Sequence, residues 1–417
     1  MVVSTVCLVS CTQEAGQTAV TVADSPSLEL RLVPTDPPEP AAGISTAAPL
    51  VTVRVAADGN PSRDSDIPRV AAVLTDLETF WTENLPGGGS FTPPAGGYVA
   101  VAASAGAIQG GPALCISAPG QIAGNAFYCP AQDGIVYDSS TLVPVLLGHY
   151  GDGALVASLA HEYGHAIQAR IGPTEADRTA DPARYPTLLI ELQADCYAGA
   201  FLSWAEAGHA AHLRIPAAAL PSTIGPLLDF RDSGHYPQTD PNAHGLAVDR
   251  LRAVLAGLAG GADSCHRLEL ASLHPAQGRS GVGEPGTARF GSVEAALAAA
   301  RPSIEALAAE QFSGKISSVP TNPDPVDLTL AASLGQFADG AALAWAAGLA
   351  GSGTDIGAAC FTGAWTAARY GSASGLGSWS SDPDEALDLI RSRDGVTLQQ
   401  LTAFAAGFDR GPTACHP

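Results

Sequence analysis

The chain has 417 residues, of which 46% are hydrophobic, and its formal net charge at pH 7 is −21. This length allows one large or two moderate domains, and the apolar, alanine-rich composition favours closely packed helices. The negative charge argues against nucleic acid and against an anionic membrane surface as partners, because both would repel the protein.

The first eleven residues form a short apolar run that ends in Leu8-Val9-Ser10-Cys11. This ending is typical of a bacterial lipobox in which Cys11 receives the lipid, although the basic and long apolar parts of a signal peptide are missing. Residues 1–11 are therefore predicted to be a partial lipoprotein signal-like segment, with an accidental likeness as the alternative. Because no long apolar run follows, an N-terminal lipid anchor is the predicted route to a membrane.

Residues 12–65 are rich in Pro, Thr, Ala and Asp. Such a stretch buries too little apolar surface to fold alone, so it is predicted to be a tether. Only residues 50–55 within it alternate enough to predict a short strand.

Residues 66–290 and 291–417 show the periodic patterns of folded structure. Together they predict an α+β fold that is rich in helix, with an Ala-rich and mainly helical region at the C-terminal end. The predicted elements, in chain order, are a helix over 67–81, strands over 98–103 and 135–137, a helix over 152–172 capped by Asp152, a helix over 187–204, and helices over 293–312 and 328–350.

The helix over 152–172 contains the motif His161-Glu162-Tyr163-Gly164-His165. Two histidines at this spacing lie on one helical face about a turn apart, so both imidazoles can reach one ion. Glu162 is then placed to polarise a metal-bound water and to accept its proton. The alternative is a surface helix with two solvated histidines.

The next helix supplies candidates for a third ligand. Glu191 and Asp195 share the side of this helix that carries apolar residues, and two buried acids are costly unless they neutralise a cation. Glu191 is therefore the predicted third ligand, and Asp195 is predicted to accept the ring N–H of a ligand histidine. An exposed acidic pair is the alternative. If the third ligand lies elsewhere, the candidates are His244, His235 and His149.

The eight cysteines contain no CxxC pair, which argues against a thiolate zinc site. Six of them form an even set that favours disulfides in an oxidising compartment, with buried thiols in a cytosolic protein as the alternative. The six are Cys115, Cys129, Cys196, Cys265, Cys360 and Cys415.

A weak internal repeat reduces the number of disulfide pairings that need to be considered. The segment Cys196-Tyr-Ala-Gly-Ala-Phe201 recurs as Cys360-Phe-Thr-Gly-Ala-Trp365, and a second cysteine follows each copy after a Gly-rich stretch. Among the connectivities that six cysteines allow, the repeat selects Cys196–Cys265 and Cys360–Cys415 and leaves Cys115–Cys129 as a local pair.

The two copies differ at the positions that would hold a metal. The second copy has Asp355 and Ala359 where the first has Glu191 and Asp195, and no second HExxH motif precedes it. Residues 291–417 are therefore predicted to be a helical region that repeats residues 187–265 without a second metal site.

Several segments together resemble the bacterial putative neutral zinc metallopeptidase family. They are Phe127-Tyr128-Cys129-Pro130, Ile135-Val136-Tyr137-Asp138, the run from His161 to Gln168, and the run from Glu191 to Gly199. The likeness spans about residues 67–265 and implies a helix-rich α+β catalytic domain of gluzincin type. It also implies His161, His165 and Glu191 as Zn²⁺ ligands and Glu162 as the base.

One part of the family pattern is altered here. The family's His-Gly-Thr segment and the Gln-Arg that follows it appear as His244-Gly245-Leu246 and Asp249-Arg250. His244 is a candidate donor to the oxyanion of the transition state, but a structural role is the stronger expectation.

These observations predict a bacterial zinc metallopeptidase that hydrolyses peptide bonds with a zinc-bound water activated by Glu162. Its expected substrates are peptides or proteins, and its expected location is the cell envelope, as a lipoprotein, or the extracellular medium. Two alternatives remain. The first is a catalytically inactive homologue that acts as a cell-envelope binding or scaffold protein. The second is a zinc hydrolase for a non-peptide amide, such as a cell-wall crosslink.

Overall fold

The computed structural model describes residues 41–57, 66–109, 113–232, 236–277, 289–312, 319–372 and 375–415. The predicted lipobox with Cys11 lies outside these residues, and so does His235. The fold is α+β and rich in helix, which confirms the predicted class. None of the helices in these ranges combines the length and apolar character needed to cross a bilayer.

The strands are β1 (Gly43–Ile44), β2 (Val53–Ala57), β3 (Gly97–Val101), β4 (Ala126–Cys129), β5 (Gly134–Asp138) and β6 (Leu213–Arg214). The helices are α1 (Ile67–Asn84), α2 (Leu142–Val145), α3 (Asp152–Ile171), α4 (Glu175–Ala180), α5 (Thr187–Glu206), α6 (Leu220–Thr223), α7 (Gly225–Asp229), α8 (Ala247–His266), α9 (Leu270–Leu273), α10 (Val293–Gln311), α11 (Pro325–Ala331), α12 (Gln336–Ser352), α13 (Asp355–Arg369), α14 (Asp382–Arg391) and α15 (Leu398–Arg410).

The main sheet has four strands in the order β2-β3-β5-β4. The first three strands are parallel, with Tyr98 opposite Ile135, and β4 runs antiparallel to β5 at the edge. β3, β4 and β5 are buried almost throughout, so both faces of the sheet are covered. The edge strand β4 lies beside α3 and ends at Cys129, which is paired with Cys115.

The folded part of the chain begins earlier than the composition predicts. Residues 41–57, assigned above to the tether, contribute β1 and β2 to two sheets. Their partners β6 and β3 are distant in sequence, so backbone pairing rather than local apolar surface holds this segment. The predicted strand over 50–55 corresponds to β2.

Two helix boundaries also differ from expectation. Asp152 does not cap α3: the N-cap is Gly151, and the Asp152 carboxylate instead accepts the Ile44 N–H at 3.1 Å. The helix expected over 328–350 is two helices, α11 and α12. The break falls at Gly335, whose φ of 145° favours glycine.

One hydrophobic core extends through both regions of the chain. It includes Trp81 and Phe201 from the central region and Trp345 and Phe404 from the C-terminal region. The helical region beyond residue 290 therefore packs on the central helices across a shared apolar interior.

The crossing of α5 and α8 requires glycine on both helices. A Cβ on Gly199 would lie 2.2 Å from the Val254 carbonyl oxygen, and a Cβ on Gly257 would lie 1.8 Å from that of Cys196. The two backbones are thus in direct contact, and the disulfide Cys196–Cys265 links the same helices.

The same crossing recurs between α13 and α15. A Cβ on Gly363 would lie 2.0 Å from the Phe404 carbonyl oxygen, and a Cβ on Gly407 would lie 2.0 Å from that of Cys360. The disulfide Cys360–Cys415 links α13 to the turn that follows α15, so all three disulfides match the predicted pairs.

The repeat extends to the helix before each crossing. A Cβ on Gly164 of α3 would lie 2.9 Å from the Ala194 Cα, and a Cβ on Gly348 of α12 would lie 2.9 Å from the Ala358 Cα. The helices α3, α5 and α8 therefore form a unit, called the first unit here, that corresponds to α12, α13 and α15, the second unit.

This correspondence shows what stands in place of the HExxH motif. With Gly164 aligned on Gly348, the residues that match His161, Glu162 and His165 are Trp345, Ala346 and Leu349. Asp355 and Ala359 match Glu191 and Asp195, as the sequence repeat indicates.

Candidate metal centre

The first unit brings three donor atoms together where α3 meets α5. His161 Nε2 lies 3.4 Å from Glu191 Oε2, and His165 Nε2 lies 3.5 Å from Glu191 Oε1. One donor atom of each residue lies within 4.8 Å of the other two. Ligands held about 2 Å from a tetrahedral zinc ion lie roughly 3.3 Å apart, so these side chains could hold one ion.

The Nδ1 atom of each histidine lies within hydrogen-bond distance of a second side chain. His161 Nδ1 lies 2.8 Å from Asp195 Oδ1, and His165 Nδ1 lies 2.9 Å from Gln168 Oε1. Both acceptors favour a proton on Nδ1, which leaves the Nε2 lone pair directed at Glu191.

Glu191 itself has an unsatisfied oxygen. Its Oε1 is buried and has no hydrogen-bond partner among the described residues. Burial raises the pKa of Glu191, but the neighbouring imidazole of His165 and the hydrogen bond from His161 outweigh this effect and hold the pKa well below its usual range. A buried carboxylate with one unpartnered oxygen, set between two imidazole nitrogens, fits a divalent cation such as zinc.

Asp195 lies where the sequence places it, and the structure adds its second partner. The Arg250 guanidinium donates to both Asp195 oxygens at 2.8 Å, and its Nη1 donates to the Phe230 carbonyl at 2.6 Å. Arg250 and Asp195 are fully buried. In the sequence, Arg250 stands out only as a remnant of the family pattern, without a role of its own.

Two glutamines, which the sequence patterns do not single out, hold the side chain of His165 in its orientation. Gln168 Nε2 donates to the Ile190 carbonyl at 2.8 Å and to Gln193 Oε1 at 2.9 Å. Gln193 Nε2 in turn donates to the Cys265 carbonyl at 3.0 Å. The one available signal was the position of Gln168, three residues after His165 on the same helix.

Glu162 is buried next to the three candidate ligands. Its Oε2 accepts the Tyr128 N–H of the edge strand β4 at 3.1 Å. Burial raises the pKa of Glu162 to about 7, with His161 lowering it and Glu191 raising it. The sheet thus holds the carboxylate in place, and burial brings its pKa close to neutral pH.

Glu162 and His165 line a cleft with a volume of about 260 Å³. Its walls come from β4, from α3 and from α4. Phe127 and Tyr128 supply the sheet side, and Arg178 supplies the α4 side. The candidate base and one candidate ligand are therefore open to a molecule that enters from solvent.

Residues 60–267 match the family model described as putative neutral zinc metallopeptidase. This part of the chain belongs to that family. The match confirms the resemblance found in the sequence, and it covers the first unit and the four-stranded sheet except for β2.

The relatives that match part of the chain are themselves uncharacterized. They include uncharacterized proteins of Mycobacterium bovis and of two strains of Mycobacterium tuberculosis. Each is 32% identical to this chain over 142 residues, which is 33% of this chain and 44% of the relative. The chain thus spans less than half the length of these curated relatives. No solved structure matches the chain.

His244, the other candidate of the zinc metallopeptidase region, lies near the centre without joining the ligand group. Its backbone N–H and that of Gly245 donate to the Asp232 carboxylate at 3.0 and 2.9 Å. Its Nε2 is buried without a hydrogen-bond partner in the described part of the chain. Burial lowers the pKa of His244, but Asp232 and Glu191 raise it above its usual value.

The alternative third ligands that the structure describes, His149 and His244, do not join this group. Of the described residues, the group that brings three such donor atoms together is His161, His165 and Glu191. His149, whose ring packs edge-on against Tyr150, is not part of it.

A helix beyond the zinc metallopeptidase match also supports the site. On α14, Asp384 accepts the N–H groups of Ala247 and Val248 at 3.0 and 3.1 Å, at the start of the helix that carries Arg250. A carboxylate at this position accepts hydrogen bonds from free N–H groups and interacts favourably with the helix dipole. The region that holds the metal centre therefore depends on residues outside the family match.

Proposed function

We propose that this protein is a zinc-dependent peptidase. The observation that carries the proposal is the convergence of His161, His165 and Glu191 beside the buried carboxylate of Glu162 in an open cleft. When bound there, zinc would polarise a substrate carbonyl and lower the pKa of water. Two nitrogens and one carboxylate oxygen are the ligand set of a catalytic rather than a structural zinc site.

Glu162 is the general base in this proposal. Its carboxylate accepts a proton from the attacking water and then donates that proton to the leaving amine. The Tyr128 N–H, 3.1 Å from Oε2, orients the carboxylate during this transfer. Asp195 and Gln168 act through the histidines, because each keeps one imidazole in a fixed orientation and tautomer.

His244 is proposed to interact with the substrate carbonyl. Its Nε2 is buried and unpartnered, and its charge influences the pKa of both Glu162 and Glu191. An imidazole N–H directed at the developing oxyanion would stabilise the transition state. Asp232 holds the backbone of this residue in place.

The cleft favours an extended peptide over other amides. β4 is the edge strand of its sheet, and its residues Phe127 and Tyr128 line the cleft. An edge strand can pair with an extended substrate through main-chain hydrogen bonds.

We also propose that the protein works outside the cytoplasm of a bacterium, either secreted or attached by a lipid on Cys11. Three disulfides support an oxidising compartment, because such bonds are rare in cytosolic proteins.

The variant Glu162→Gln tests the catalytic proposal. It should retain zinc, since Glu162 is not a ligand, and should lose nearly all hydrolysis of a denatured protein substrate. Zinc content and cleavage are measured on the same preparation. Full cleavage by Glu162→Gln would overturn the mechanism. No cleavage by the zinc-loaded wild type on any protein would favour a binding or scaffold role instead.

A further inference from the structure

A short helix beside the metal centre carries an arginine in the wall of the cleft. α4 follows Thr174, whose N–H donates to Asp177 Oδ2 at 2.7 Å while the Asp177 N–H donates to Thr174 Oγ1 at 3.2 Å. This reciprocal capping holds the helix start in a defined orientation. Arg178, the next residue, lines the same cleft as Glu162 and His165.

Arg178 carries a positive charge that has no partner among the residues that the structure describes. The residue is half-buried, and its guanidinium forms no hydrogen bond or ion pair with any residue in the described ranges. Burial lowers its pKa, while the negative charges of Glu175 and Glu191 act in the opposite direction. The guanidinium remains protonated under physiological conditions.

Other arginines around the site differ in this respect. Arg170, Arg231 and Arg250 each bind a carboxylate of the protein through two guanidinium hydrogen bonds. Burying part of a charge without a partner is unfavourable, so an anionic group from outside the protein would stabilise the Arg178 guanidinium.

Glu175 is the nearest alternative partner on α4. It lies one turn before Arg178, is exposed to solvent and makes no ion pair within the described residues. Glu175 lines the same cleft as Arg178, so its carboxylate can lower the affinity of Arg178 for another anion although the two side chains form no ion pair.

We propose that Arg178 makes this protein selective for peptides that carry a carboxylate close to the scissile bond. The inference rests on the proposed peptidase function of the same cleft. A planar guanidinium donates paired N–H groups that match a carboxylate. Either an Asp or Glu side chain or the C-terminus of the peptide supplies this group.

The test compares matched peptides on the zinc-loaded protein. One pair differs only by Glu and Gln in an internal position, scanned along a blocked peptide, and a second pair differs only by a free or an amidated C-terminus. The readout is the ratio of kcat/KM within each pair. The variants are Arg178→Gln and Arg178→Lys, and the control is Arg184→Gln, which removes an exposed arginine that packs over Tyr185.

The wild type and Arg184→Gln should prefer one carboxylate-bearing peptide by about 10- to 100-fold, as expected for a hydrogen-bonded charge pair. In Arg178→Gln this ratio should approach one, and Arg178→Lys should keep part of it. The pair that responds identifies the source of the carboxylate. A wild-type ratio near one in both pairs, or an unchanged preference in Arg178→Gln, would overturn the proposal.

A binding measurement separates this inference from the proposed function. Zinc-loaded Glu162→Gln and Glu162→Gln/Arg178→Gln are titrated with the same peptides, and Kd is measured by fluorescence anisotropy. The Kd of the peptide without the carboxylate divided by that of its partner should fall about 10-fold or more when Arg178 is replaced, even if the wild type cleaves neither peptide. Equal ratios in the two variants would contradict the role of Arg178 whatever the outcome of the cleavage assay.

Discussion

The first unit (α3, α5, α8) and the second unit (α12, α13, α15) share a helix packing but differ in chemistry. Both have glycine pairs that let helix backbones touch, and both have a disulfide across the tightest crossing. Only the first unit has the histidines and acids of a metal site. The packing therefore does not depend on the metal ligands.

The second unit shows what fills the space without a metal. Trp345, in place of His161, is buried, and the Arg393 guanidinium lies 4.0 Å from the centre of its ring. Ala359 and Gln400 take the positions of Asp195 and Arg250, so an uncharged pair replaces the buried ion pair. The first unit keeps its charges because Asp195 has a histidine to orient.

The largest expected effect is on the free energy of unfolding. It arises when Asp195 and Arg250 of the first unit are replaced by Ala and Gln, the residues at these positions in the second unit. Asp195→Ala leaves Arg250 charged and buried, so it should lower the free energy of unfolding by about 4 kcal/mol. Asp195→Ala/Arg250→Gln should recover most of that loss, while the zinc Kd should remain raised by about 10- to 100-fold because His161 loses its acceptor.

Urea denaturation and zinc titration measure the two quantities on the same variants. If the double variant bound zinc as tightly as the wild type, the Asp195–His161 contact would have no part in the metal site. If the double variant stayed as unstable as Asp195→Ala, the residues of the second unit could not replace the buried ion pair of the first.

A smaller effect tests whether the two helix crossings are equivalent. Gly257→Ala and Gly407→Ala each place a methyl group within about 2 Å of a facing carbonyl oxygen, so the helices must separate. Each variant should lose about 3 kcal/mol of stability, because overpacking at a backbone contact is hard to relieve. Gly208→Ala, where the added methyl meets no atom within 4 Å but φ is 84°, controls for backbone strain alone.

Thermal unfolding of the three variants provides the measurement. A loss in Gly407→Ala no larger than in Gly208→Ala would show that the second crossing is loose and that the structural repeat is weaker than described.

The smallest effect concerns an acid in the second unit where the first unit has an apolar residue. Asp339 on α12 takes the position of Leu155 on α3, and its Oδ1 is buried without a hydrogen-bond partner in the described residues. Burial raises the pKa of Asp339 to about 6, with a further contribution from Glu294. Because the folded state then holds its proton more tightly than the unfolded state, this residue reduces stability as pH rises from about 4 to 6.

Asp339→Leu should therefore increase the free energy of unfolding by about 2 kcal/mol more at pH 7 than at pH 4. Denaturant titrations of both proteins at the two pH values give this difference. A stability change that is the same at both pH values would show that Asp339 is not protonated preferentially in the fold.

How much of the fold and of the metal centre the sequence predicts depends on how far apart in the chain the interacting residues are. The HExxH helix, and the acids Glu191 and Asp195 on an apolar face, follow from local periodicity. The disulfides followed from a repeated six-residue segment. In contrast, Arg250 binds Asp195 across 55 positions and Asp384 caps α8 across 137. Such pairings leave no local pattern.

The error at the N-terminal boundary has the same cause. Residues 41–57 look unfolded when composition alone is considered, because their partners β3 and β6 lie elsewhere in the chain. Asp152 looks like a helix cap, but its carboxylate is used to bind the N–H of β1.

The most direct test of the central claim is zinc stoichiometry, measured by isothermal titration calorimetry on the metal-free protein. The wild type should bind one zinc ion per chain, and Glu191→Ala should bind none or bind it far more weakly. The matched change in the second unit, Asp355→Ala, should leave one zinc bound with unchanged affinity. Full zinc binding by Glu191→Ala, or loss of zinc in Asp355→Ala, would contradict the assignment of the metal centre to the first unit.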